Sequence, residues 1–166
     1  MADDKHRDER ATRDVAQGGV STVLFGSGPL TARWRRLAGV ALGLALVTFT
    51  GYELGVFAVS GGVVFVPAHA ALVCLLAAGW AGYAREGLLG GWLLAVATLL
   101  GWQAEWATEI SARPLVERIA YVVEPTGLAV LAVLGAILAV LGFSVGAVGR
   151  WSVERLRAGR QVSTDG

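Results

Sequence analysis

The stretch YELGVFAVSGGVVFVPAHA, residues 52–70, carries an acid and an imidazole inside segments otherwise fit for lipid. Glu53 and His69 flank a Ser-Gly-Gly turn, each eight residues from Gly61. In an antiparallel helical hairpin, equal spacing from the turn places both at one depth, where a carboxylate and an imidazole can pass a proton, hold a ligand or neutralise each other. A lone carboxylate in hydrocarbon costs several kcal/mol, so direct pairing at about 4 Å or access to water is expected. Gln103 and Glu105, at the end of a later apolar segment, are candidates to complete a proton- or ligand-binding site with them. The competing expectation is an interfacial pair in which Glu53 merely satisfies His69.

Other chemistry has less support. Only His69, Glu53 and Glu105 are placed to serve as metal ligands, too few for a defined centre, so neither metal nor cofactor is expected. His6 falls in a charged stretch and reads as a solvated side chain. Cys74 is the single cysteine, which excludes an intrachain disulfide and leaves a packing role. Ser60 has no readable His and Asp arrangement, and no phosphate-cradling loop or dinucleotide fingerprint appears. The expectation is a protein that is not an enzyme.

The elements that must position these residues follow from composition. Of 166 residues, 55% are hydrophobic and only 16% charged, with the charges crowded at the ends and in short connections, which is a membrane pattern. A helix needs about 20 apolar residues to cross roughly 30 Å of hydrocarbon. Four segments qualify, at about 37–59, 63–84, 88–107 and 126–149, the second expected to become regular at Pro67 and the fourth to follow or begin at Pro125, with an interfacial helix at about 114–123 behind Pro114. The predicted fold is all-α, a polytopic integral membrane protein built as a four-transmembrane-helix bundle of two hairpins. Residues 1–35 form a disordered charged tail with a basic flank, 36–150 the transmembrane domain, and 151–166 a basic C-terminal tail. Sliding the chain by 50 superposes LALVTFTGYE (44–53) on LAVATLLGWQ (94–103) at four identities, the trace that duplication of a hairpin would leave.

Topology follows from charge. Of the 14 Lys and Arg residues, 12 fall on one side of this threading and only Arg113 and Arg118 on the other, so both termini are expected in the cytoplasm of a cell-membrane protein. These basic clusters speak for orientation, not for nucleic acid. Gly39, Gly43, Gly51 and Gly55 in the first span, and Gly142 and Gly146 in the last, recur at multiples of four, the spacing that lets helices approach closely. They are expected to pack the bundle or to meet a homo-oligomeric or other membrane-protein partner. The function expected is a non-enzymatic accessory or scaffold component of the bilayer; the alternative is a small proton- or ion-coupled transporter using Glu53 and His69 in an outer-leaflet site.

Residues 1–20 bury nothing in this threading, and Arg33, Arg35 and Arg36 suffice to orient the first span. Deleting 1–20 is therefore expected to leave membrane integration intact, as measured by resistance to alkaline extraction.

Overall fold

A computed structural model describes residues 22–26, 30–57, 67–109 and 114–162. The tail at 1–20, the Ser60-Gly61-Gly62 turn, Arg113 and residues 163–166 lie outside these described residues. The described chain is all helical, with no strand: Leu30–Glu53 (α1), Ala68–Tyr83 (α2), Leu88–Glu109 (α3), Leu115–Val122 (α4) and Pro125–Val162 (α5), preceded by one helical turn at 22–25.

Several ends differ from expectation for physical reasons. The helix α1 starts before residue 37, taking in the arginines, and stops at Glu53 rather than 59. Gly55 adopts φ 68°, which glycine alone reaches without strain, and its N–H donates to the Tyr52 carbonyl at 2.9 Å. Gly55 thus terminates a helix and does not pack one. At α2 the start agrees with expectation: Pro67, at φ −59°, stands immediately before the regular helix, which begins at 68. The turn at 84–87 holds Arg85 at φ 59° and Gly87 at φ 81°.

The largest departure is α5, whose 38 residues run 13 past the expected end at 149, through the segment expected to be a tail. Residues 150–158 contain neither glycine nor proline to break the helix. The Arg150–Glu154 ion pair at 3.6 Å and the Arg155 guanidinium 3.7 Å from the Trp151 ring support its exposed turns. At 1.5 Å per residue α5 is about 57 Å long.

Within the bundle α3 is central, packing against α1, α2, α4 and α5, while α2 packs most extensively on α5. The main pairings are therefore α1 with α3 and α2 with α5, rather than the α1–α2 pairing that a first hairpin implies. Glycine decides these approaches. A Cβ on Gly146 would run into the Gly79 carbonyl, one on Gly82 into the Phe143 carbonyl, and one on Gly142 would lie 2.6 Å from the Leu75 oxygen. On α3, Gly101 admits the backbone of Ala45 in the same way. Small buried residues fill the remaining seam, including Ala70, Cys74, Ala78, Ala95 and Ala139. Cys74 donates to the Ala95 carbonyl at 3.4 Å, and the Trp92 indole donates to the Ala132 carbonyl at 2.9 Å.

The outside of the bundle is apolar as well. On α1, Leu42 is 62% exposed, and on α5 the row Ile137, Leu141, Val145 and Val148 is exposed throughout. A contiguous apolar surface of this kind is unusual against water. Two helices, α3 and α5, are long and apolar enough to cross a membrane, and α2 is a shorter apolar helix of 16 residues.

Of the glycines expected to pack, Gly142 and Gly146 sit at the α2–α5 crossing and Gly51 lies against the Phe57 ring, whereas a side chain at Gly39 or Gly43 would meet nothing within 4 Å. Gly146→Val is accordingly expected to cost about 1–3 kcal/mol by overpacking, read as a lower unfolding temperature in detergent, while Gly39→Val leaves the unfolding temperature of the single chain almost unchanged.

Candidate functional site

Ionisable groups gather at both ends of the bundle. At the end where α1 stops and α2 starts, Tyr52 is buried and its hydroxyl accepts the Ala70 N–H at 3.2 Å, tying the two helix ends together. Tyr52 also meets Phe57 edge-on at 5.3 Å between ring centroids. Phe57 in turn stacks on His69, with centroids 5.5 Å apart and planes inclined by 18°. The loop after α1 thus folds a ring over the imidazole, and His69 Nδ1 is buried without a hydrogen-bond partner among the described residues.

Glu53 does not meet His69 here. Its carboxylate is exposed and faces Thr108 of α3, whose hydroxyl lies 3.5 Å away but donates to the Glu105 carbonyl at 2.7 Å. No ion pair or hydrogen bond joins Glu53 to His69. Equal depth is not equal azimuth: α1 turns Glu53 toward α3, whereas Phe57 occupies the imidazole face. Glu105 is 4% exposed and close enough to act electrostatically on the Tyr52 phenol. Gln103, two residues away, points to the opposite side of α3, as a helical step of about 200° requires. Its amide donates to the carbonyls of Tyr121 at 3.5 Å and Val122 at 3.3 Å, where it holds the end of α4. Glu53, His69 and Glu105 therefore share one end and side of the bundle, and Gln103 belongs elsewhere.

The other end contains an ionic cluster that sequence spacing did not reveal. Glu86, in the turn between α2 and α3, is 3% exposed and forms ion pairs with Arg33, whose Nε lies 3.0 Å away, and with the Arg36 guanidinium. Arg33 also donates to the Glu86 backbone carbonyl. One carboxylate thus receives two arginines from successive turns of α1, an i,i+3 pair on one face. The legible signal was a single acid in a short turn opposite three arginines. Burial, more than the neighbouring Arg36, lowers the pKa of Arg33 from its ordinary value, and the group stays charged. Beside it, Arg150 donates to the Gly82 carbonyl at 3.0 Å and reaches Tyr83, covering the open carbonyls at the end of α2. Arg85 pairs with Glu154 at 3.2 Å across the same surface. Gly26, at φ 70°, presses onto the carbonyls of Arg85 and Glu86, so the residues before α1 also close over this turn.

Chemically the two ends differ. The Glu86 cluster holds one buried carboxylate between two arginines and fixes geometry. The end with Glu105 and His69 keeps a buried acid, together with an imidazole whose Nδ1 has no hydrogen-bond partner among the described residues, which are the ingredients of proton or ligand handling. No family model, curated protein or solved structure matches the chain.

Removing one member of a buried pair strands its partner. Glu86→Ala is expected to destabilise the chain by about 3–5 kcal/mol in denaturant unfolding, because Arg33 is left buried and uncompensated. Arg36→Ala, at a side chain 60% exposed, is expected to cost less than about 1 kcal/mol.

Proposed function

We propose that this chain is a multi-pass membrane protein with four spans, both termini in the cytoplasm, and that it acts as a non-enzymatic scaffold or accessory component that meets a partner helix through α1. The supporting observation is Gly39 and Gly43: they form a Gly-x-x-x-Gly pair beside the exposed Leu42, Leu46 and Val47, and a Cβ at either glycine would meet nothing within the bundle. The glycines at the α2–α5 crossing are consumed by internal packing. This pair is left open at the spacing that allows a second helix to approach closely in lipid. The partner favoured is a second copy of the chain, since a two-fold pairing of α1 needs no further component.

Four spans rest on α3 and α5, which are long and apolar enough, together with the 16-residue α2 and the apolar 37–53 portion of α1. The arginines Arg33, Arg35, Arg36, Arg85, Arg150, Arg155 and Arg157 then face the cytoplasm. A second reading, a small proton- or ion-coupled transporter, is favoured by the buried Glu105 at the same end as a His69 whose Nδ1 has no partner among the described residues. In that reading Glu53 and His69 face the outer leaflet.

Two measurements test these proposals. Reporter fusions after residue 160 and within 108–113 are expected to report opposite sides of the membrane; agreement between them refutes the four-span threading. Differently tagged copies are expected to co-purify and to form a disulfide dimer from Gly39→Cys in a Cys74→Ala background, while Gly43→Leu abolishes both. Failure to pair, with pH-driven uptake into proteoliposomes lost in Glu105→Gln, would favour transport instead.

A further inference from the structure

We propose that the cleft between α3, α4 and α5 binds an organic ammonium group, supplied by the head group of a zwitterionic phospholipid. The cleft has a volume of about 440 Å³ and is lined by Gln103, with neither Glu53 nor His69 in its walls. Trp102 and Trp106, four residues apart on α3, form one wall, and Tyr121 of α4 forms the other. Glu124 closes the cleft at the start of α5, where its carbonyl accepts the Leu128 N–H at 2.9 Å. The Gln103 amide pins Tyr121 and Val122 by their carbonyls, so α4 is held in place to make this wall.

The lining selects the ligand. Three aromatic rings and one carboxylate surround the space, and no lysine or arginine among the described residues lines it. The Glu124 carboxylate has no hydrogen-bond or ion-pair partner among the described residues. Ring faces attract a diffuse, weakly hydrated cation, and an ammonium bearing alkyl groups fits that description better than a metal ion, which requires several oxygen ligands. The Trp102 indole N–H is buried without an acceptor among the described residues, and Thr126 adds a hydroxyl to the same lining. A phosphate joined to the ammonium supplies the missing acceptor. Leu131 and Leu134 give the cleft an apolar floor that continues along α5. Aromatic side chains that only mark a membrane surface have no need to converge on an acid.

The lipid source rests on the membrane reading above, whereas ammonium binding itself does not depend on the number of spans. The full chain, reconstituted with equal amounts of phosphatidylcholine and phosphatidylglycerol and released into mild detergent, is expected to retain phosphatidylcholine preferentially by native mass spectrometry. Trp106→Leu, Tyr121→Leu and Glu124→Gln are each expected to weaken that retention about tenfold, equivalent to about 1.4 kcal/mol, with Trp106→Phe recovering most of it. Unfolding temperatures identify any leucine variant that misfolds, and the exposed Glu124→Gln then carries the test. Free choline titrated against tryptophan fluorescence in phosphatidylglycerol nanodiscs distinguishes the sources. Saturation that depends on the same residues, without lipid preference, keeps the ammonium site and replaces the lipid by a soluble ligand. Equal retention of both lipids, or preference for phosphatidylglycerol, with no choline response, overturns the proposal.

Discussion

Direct backbone contact between helices is the constraint on which this structure depends. Where α2 and α5 cross, Gly79, Gly82, Gly142 and Gly146 bring main chain against main chain, and where α3 meets α1, Gly101 lies on Ala45. Such contact gives many small dispersion terms over a long seam, and it replaces the large apolar core that a protein in water assembles. The buried residues agree: alanines dominate the main cluster, while long apolar side chains such as Leu141 and Val145 project outward. Once α2 and α5 are locked, α3 has one place to lie, and α1 and α4 are positioned through it.

Polar groups then fix what the seams leave free. At the arginine-rich end, Glu86 draws Arg33 and Arg36 onto the turn between α2 and α3, which sets where α1 begins relative to α3. At the opposite end, Tyr52 and Phe57 make the corresponding closure with Ala70 and His69. A buried pair with its desolvation cost adds little net stability but discriminates strongly between arrangements, since any slip of α1 strands a charge. The two ends act as register marks for helices whose glycine-lined surfaces slide easily.

Composition and period made the helices legible, and local chemistry decided their ends. The spacing of apolar residues foretold helices near all five observed elements, and Pro67, Pro114 and Pro125 marked three starts. Gly55 was read as a packing residue, yet its positive φ ends α1; a glycine in an apolar run gives no sign of which service it performs. The end of α5 was hidden because a charged, amphipathic continuation resembles a tail in composition. Of the candidate site, Glu53, His69 and Glu105 do share one end, but azimuth on a helix is set by packing partners, and neither the stacking of Phe57 on His69 nor the separation of Gln103 was visible in spacing alone. Glu86 escaped notice because its partners lie some 50 positions earlier in the chain.

The length of α5 has a mechanical meaning. In the proposed threading, hydrocarbon occupies roughly 30 Å, so a rod of about 57 Å would leave several turns standing clear of it, with no joint between the two portions. Arg150 clasps the carbonyls at the end of α2 where those turns emerge, serving as a collar on a shaft. Torque applied to the protruding turns around Arg155 and Arg157 therefore reaches the Gly142 and Gly146 crossing through unbroken helix. A flexible tail would dissipate such a load in its first few bonds, whereas this shaft delivers it to the seam that positions every other helix.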